Sequence, residues 1–250
     1  MLDNAHIERF CKRLTCYIDR EKYTKIWEQR KNKKGVVKPR VWQTFDASAG
    51  VDFKPAGFVL SSGLKFEWQI KETERLKKLQ RKLARKQKGS KRWYKTKEKI
   101  AREYERITNI KYDVINKVCS FLYRYKTVCF QEDNIKGWKE GYFSRSVQYS
   151  AVGTIKRRLS DSLRVPTVTV KRNVPTTKTC SGCGNRHEVL LSDRIFKCPV
   201  CNLEIDRDLN AAINMLKVVG LDRSEITPAE RETAARIFRG NPHILVSLLQ

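Results

Sequence analysis

Two cysteine pairs constrain this chain more than any other feature. Cys180-x-x-Cys183 and Cys198-x-x-Cys201 stand fourteen residues apart. Each pair offers two sulfurs from one tight turn, and a tetrahedral zinc ion takes four soft ligands. Gly182 and Gly184 flank Cys183, and Pro199 lies inside the second turn; both residue types suit such loops. Four thiolates leave no open coordination position, so the zinc is expected to be structural, holding a small ribbon together. His187, between the pairs, reads as a surface-loop residue and not as a ligand. The other cysteines, Cys11, Cys16, Cys119 and Cys129, are scattered. No basic-apolar-small secretory pattern opens the chain, so a disulfide framework is not expected.

Charge supplies the second constraint. Lys and Arg number 53 against 27 Asp and Glu, a formal charge of +26 in 250 residues. Such a chain repels itself unless a polyanion neutralises it, and nucleic acid is the default partner. Residues 75–102 concentrate the imbalance, with fourteen Lys or Arg and one acid. One-sign helices cost repulsion and gain no i,i+4 pairs, so nucleic-acid contact is favoured over a merely solvated face. At 40% apolar residues the chain is too hydrophobic to be disordered. It contains no apolar run of about 18 residues, which excludes a membrane-spanning helix.

The periodicities divide the chain. A short amphipathic stretch (Ile7, Phe10, Leu14, Tyr17, Ile18) precedes a basic segment, Arg30 to Arg40, that reads as a loop. Gly50-Val51-Asp52-Phe53 and Gly57-Phe58-Val59-Leu60 read as two strands of a hairpin. Leu76, Leu79 and Leu83, then Ile107, Ile110, Val114, Val118 and Leu122, give two helical stripes broken at Gly89-Ser90. Trp93 and Tyr94 are candidates for base stacking, and Trp138 for either base stacking or core packing. Thr127-Val128-Cys129-Phe130 reads as a buried strand. A helix with Val152, Ile155 and Leu159 inward follows, with Lys156, Arg157 and Arg158 expected on its outside. Val165 to Val170 alternates as a strand does, and Asp208 to Val219 is a helix with Leu209, Ala212, Ile213 and Leu216 inward. The tail from Asp222 reads as a weakly attached helix starting at Thr227-Pro228.

Carboxylates from three separate elements are placed to converge. Asp52 lies inside an apolar strand, where an unpaired acid is costly and wants a metal or a cation. Glu132 and Asp133 end the next strand; strand parity favours Asp133, since it shares a face with Gln131. Asp206 and Asp208 open a helix, and one of them serves as its N-terminal cap. Hard cations such as Mg²⁺ take oxygen ligands, and phosphodiester-cleaving centres often hold two.

Taken in order, Gly50-Val51-Asp52, Gln131-Glu132-Asp133-Asn134-Ile135-Lys136-Gly137-Trp138, Thr179-Cys180-Ser181-Gly182-Cys183, Cys198-Pro199-Val200-Cys201 and Asp206-Arg207-Asp208-Leu209-Asn210 resemble the TnpB (OrfB-type) proteins of insertion sequences, relatives of type V CRISPR effectors. The likeness covers roughly residues 48–220. It implies an α/β fold: an RNase H-like (RuvC) nuclease domain with a helical insertion and an inserted zinc ribbon. It also implies an RNA-guided, Mg²⁺-dependent DNA endonuclease whose partners are a guide RNA and target DNA, with no membrane role. The implied catalytic acids are Asp52, Glu132 or Asp133, and Asp208, with Asp52, Glu132 and Asp208 as the magnesium ligands. Cys180, Cys183, Cys198 and Cys201 are the implied zinc ligands.

The expected organisation is an N-terminal segment 1–47, a nuclease core from 48 to 174 with its basic helical insertion at 71–123, a ribbon 175–204, a last core helix 205–220 and a tail 221–250. A cytoplasmic, nucleoid-associated location is expected; oligomeric state stays open. The chain departs from the family pattern in three respects: an ungapped alignment puts Gln131 at the middle acid, where a one-residue gap puts Glu132; Lys54 stands where Gly is common; and the region before Asp52, which in the family holds guide RNA, is short. A nuclease-inactive RNA-guided repressor and a guide-independent RNase H-like transposase are the alternative readings.

Overall fold

The computed structural model describes residues 44–134, 137, 147, 149–190 and 192–249. The expected N-terminal amphipathic stretch, the basic loop before Arg40, Cys11, Cys16 and Trp138 lie outside them. A six-stranded sheet carries the fold, in the order β5-β4-β1-β2-β3-β8. β1 (Ser48–Lys54), β2 (Gly57–Leu60) and β3 (Leu64–Trp68) form an antiparallel meander. β4 (Thr127–Gln131) runs parallel to β1, and β5 (Thr167–Val170) parallel to β4. The expected hairpin is therefore present, but it continues into a third strand. Leu64, Phe66 and Trp68 alternate inward with Lys65 and Glu67 outward, the period-two signal of a half-buried strand.

Between β3 and β4 the chain leaves the sheet as a helical hairpin, α1 (Glu74–Ala84) and α2 (Lys91–Leu122). Thr73 and Ser90 cap them through side-chain oxygens. α2 has two halves with different neighbours. Ile100 and Ile107 pack with Leu76 of α1, whereas Val114, Ile115, Val118, Phe121 and Leu122 enter the main core. Its first half therefore projects, basic side chains outward, from a second half that is anchored.

The core fills one face of the sheet. Val51, Phe53, Phe58, Phe66, Val128 and Phe130 pack there against α2, α3 (Val152–Ser160) and α5 (Pro228–Phe238). The other face receives α4 (Arg207–Val218), through Val59, Leu209 and Ile213. Gly50 allows this approach: a Cβ there would lie 2.0 Å from the Ala212 carbonyl oxygen. A small two-stranded sheet, β6 (Ile195–Lys197) with β7 (Glu204–Asp206), belongs to the cysteine segment.

The expectation of a weakly attached tail is overturned. β8 (Ile244–Leu248) pairs antiparallel with all of β3 and completes the sheet. Thr227 and Glu230 form a reciprocal capping box at the start of α5. Glu230 is buried and accepts a 2.5 Å hydrogen bond from the Tyr125 hydroxyl, and Phe238 packs against Phe66 and Phe121. The tail's apolar run, Ile244-Leu245-Val246-Ser247-Leu248-Leu249, forms this strand, although only Ile244 of β8 is buried and Leu245, Val246 and Leu248 stay exposed.

Candidate active site and metal centre

Strand parity assembles the acids. Val51 and Phe53 face the core, so Gly50, Asp52 and Lys54 face α4. On β4, Val128 and Phe130 face the core, which turns Cys129 and Gln131 to the other side, with Asp133 in step beyond them. Asp208 arrives from the first turn of α4. Asp206 takes the capping role, its carboxylate accepting the N–H groups of Asp208 and Leu209 at 2.9 and 3.2 Å. This leaves the Asp208 carboxylate free of the helix end.

The three aspartates sense one another. Burial among protein atoms pushes the Asp52 carboxyl up to about 7. The nearby Asp208 and Asp133 charges add to the rise, while Lys54 and Lys156 oppose it. Glu132 is exposed and is not among the charges acting on Asp52. Its backbone N–H continues the β4–β5 ladder to Val170, which turns the following residue toward the acids. Of the two acids at this strand end, Asp133 is therefore the one whose charge reaches Asp52.

Two lysines supply positive charge at this cluster. Lys54 donates to Asp208 and Lys156 to Asp133, both as ion pairs. Lys156 was expected on the outside of its helix. It is instead 9% exposed, donates to the Gln131 carbonyl at 2.6 Å and lies 5.1 and 5.2 Å above the Phe53 and Phe130 rings. Burial pulls its ammonium below the ordinary value, and Asp133 and Asp52 work against that pull. Its aliphatic stem explains the placement, since it lies in step with Val152 and Ile155 on the buried face of α3. The donor set is chemically right for a hard divalent ion, yet here ammonium groups hold two of its three members.

Gln131 does not point at the acids as a ligand. Its Nε2 donates to the carbonyls of Lys171, Arg172 and Val174, at 2.7 Å for the last, and its Oε1 accepts from the Thr176 hydroxyl. It holds the chain between β5 and the cysteine segment.

The four cysteines form the second centre. Their sulfurs all lie within 4.8 Å of one another, the one group of three or more metal-ligating atoms so close among the described residues. Cys180 and Cys201 are 3.6 Å apart, as are Cys183 and Cys198. Zinc–sulfur bonds of about 2.3 Å put the edges of a tetrahedron at about 3.8 Å, so the cluster fits a zinc ion. The sulfurs act on one another: the backbone N–H of Cys201 holds the Cys198 thiol down, while against the pull of the Leu203 N–H, burial and the neighbouring cysteines push the Cys201 thiol up. Phe196, with Cys180 and Cys198, forms a small buried core beneath. His187 stays out of the sulfur group; it is half-buried, with its ring 4.8 Å from that of Phe196.

The projecting hairpin is a third candidate surface. Tyr94 is exposed beside Trp93, whose ring carries the Lys97 ammonium at 5.2 Å. No helix among the described residues is long and apolar enough to cross a membrane.

Comparison with known proteins follows the same division. Residues 69–128, the hairpin and the start of β4, match the family model described as "Probable transposase". Residues 157–215, from α3 through the cysteines into α4, match that of the "Cas12f1-like, TNB domain". A Streptomyces pristinaespiralis protein named "Putative RNA-guided DNA endonuclease" is 31% identical over 180 residues, 68% of this chain and 44% of that protein. The TnpB-like protein L79 of Acanthamoeba polyphaga mimivirus is 51% identical over 43 residues, 17% of this chain and 8% of its own. The chain therefore spans less than half the length of the curated relatives it matches. A solved Cas12f1–sgRNA–target DNA complex is 21% identical over 57% of this chain and 40% of that one, with a TM-score of 0.36; that likeness carries no argument here.

Proposed function

Since the chain belongs to the TnpB-type family, we propose that it is the nuclease and ribbon part of an RNA-guided DNA endonuclease, with Asp52, Asp133 and Asp208 as its acidic centre. One observation carries the reading: Asp52 on β1 has burial raising its carboxyl and, in addition, the charges of Asp208 at the start of α4 and Asp133 at the end of β4 within reach of it. An antiparallel meander extended by two parallel strands, with the acids on the face covered by α4, supports an RNase H-like core. The hairpin 71–123 is its basic insertion and 175–204 its zinc ribbon.

Mg²⁺ held by these acids supplies an activated water and charge stabilisation when bound. The chain's own contributions are separate. Asp206 frees Asp208 by taking the helix cap, Gly50 lets α4 close on β1, and Lys54 and Lys156 hold the acids in place without metal. Base pairing between guide RNA and target strand reads sequence, while the Lys and Arg side chains of α1 and α2 grip backbones.

The same lysines favour a second reading. Two of three acids already have cationic partners, and Gln131 occupies the aligned middle-acid position with its amide committed elsewhere. Such a chain would bind guide-matched DNA without cutting it. A guide-matched plasmid decides between the two: nicking or linearisation in Mg²⁺ that Asp52→Ala abolishes supports the nuclease. Retention of the plasmid without cleavage by either protein supports the repressor. Failure to recover one specific RNA with the purified protein removes both and leaves the guide-independent transposase.

A further inference from the structure

A buried polar clamp joins the cysteine segment to α4. Asn210 is fully buried; its Oδ1 accepts the Ser181 N–H at 2.8 Å, and its Nδ2 donates to the Thr179 carbonyl at 2.8 Å. One turn later Asn214 is 4% exposed and donates to the carbonyls of Thr176 and Thr179 at 2.8 and 2.6 Å. Lys217 donates to the Ser181 carbonyl. Positions 210, 214 and 217 share one helix face, and that face grips the backbone that leads into Cys180. Ser181 lies inside the first cysteine turn, and Asp208 lies two residues before Asn210.

We infer that Asn210 and Asn214 are positioning residues that couple loading of the four-cysteine site to the placement of Asp208. The inference rests on the reading of Asp208 as one of the catalytic acids and of the cysteines as a zinc site. The physical reason is the cost of leaving buried amides unpaired. An ion shared by four sulfurs fixes the turn at Cys180–Cys183, and with it the Ser181 N–H and the Thr179 carbonyl. Without the ion that turn is free to change, and α4 must move to find its amides new partners. Coupling of this kind is reciprocal: whatever loosens the clamp loosens the metal by the same factor.

The test uses the full chain and zinc alone, with no nucleic acid. Zinc affinity is measured by competition with a chromophoric chelator for the wild type, Asn210→Ala, Asn214→Ala, Asn210→Asp and the exposed control Lys126→Ala. Amide hydrogen exchange is followed in the zinc-loaded and zinc-stripped wild type. Affinity is expected to be about tenfold weaker in both alanine variants. Asn210→Asp, which keeps the acceptor for Ser181 and loses the donor, should fall between, and the control should match the wild type. Stripping zinc should speed exchange across 208–216 and leave 114–122 of α2 unchanged. Unchanged exchange in α4, or an equal rise throughout the chain, overturns the inference; so does unaltered zinc affinity in alanine variants whose sheet exchange is normal. The wild-type stripping arm decides even if a variant fails to fold. None of these readouts involves cutting, so this inference and the nuclease reading can fail separately.

Discussion

The cysteine ribbon and the aspartate recess are both built from groups that metals bind, and they differ in how they are held together. The ribbon's four sulfurs come from within 22 residues and stand near tetrahedral spacing. The recess gathers its acids from positions 52, 133 and 208, across the sheet and a helix, and two of them are ion-paired with lysines. Short-range ligands are arranged by two tight turns. Long-range acids must be held against mutual repulsion by the fold, and here cationic side chains do part of that work. As the zinc site proposed above, the ribbon would depend on its metal for folding, whereas the recess keeps its shape through packing and ion pairs.

Breaking the ribbon should have the largest effect. Cys180→Ser is expected to drop bound zinc from about one ion per chain to nearly none, read by elemental analysis, because three sulfurs do not close the site. A variant that keeps its zinc would show that the four sulfurs are not one site. Next is the contrast between neighbouring acids. Asp133→Ala strands the buried Lys156 ammonium and should cost roughly 3 kcal/mol in denaturant unfolding, whereas Glu132→Ala should stay within about 0.5 kcal/mol. Equal losses would mean that the recess does not distinguish the two residues.

Lys54→Ala addresses the competition between ammonium and metal. Freed of its lysine, Asp208 should let the recess bind Mn²⁺ about tenfold more tightly by titration calorimetry, since a cation need no longer be displaced. Unchanged affinity would show that Lys54 is no competitor. The smallest effect is a pH dependence. Asp52 titrates in the folded state near 7, above its unfolded value near 3.8, so the folded chain holds the proton longer. Its stabilising contribution is full below the unfolded value and disappears as pH rises through 7. Asp52→Asn should therefore raise the melting temperature by a few degrees at pH 8 relative to the wild type, and by less at pH 5. A gap that does not widen with pH would place the carboxylate in a more solvated setting.

Much of this was legible in the residues. Paired cysteine turns announce a ribbon because spacing and ligand chemistry are both local. Ser90 and Thr227 mark helix starts because a cap is a contact over three residues. Alternation along β1 and β4 told which acids share a face, and that parity selected Asp133 where alignment to a pattern had preferred Glu132. Lys156 was misread because its three-residue basic run, Lys156-Arg157-Arg158, looks uniformly solvated. The helical period already sets Lys156 four residues after Val152 on the buried stripe, and the position of α3 over Phe53 and Phe130 gives its ammonium a place there. The tail was misread as well: Ile244-Leu245-Val246-Ser247-Leu248-Leu249 is an apolar run fit for a strand, but only the fold shows that it pairs with β3.

By itself the sequence determined the ligand chemistry, the helical hairpin with its one-sign surface, and the faces on which Asp52 and Asp133 lie; these follow from spacings of two to four residues. The tertiary structure decided what crosses those spacings: Lys54 on Asp208, Lys156 on Asp133, Asn210 and Asn214 on the cysteine turn, and β8 on β3. Each joins elements far apart along the chain, and such contacts arise only when the sheet and its helices bury their apolar faces together.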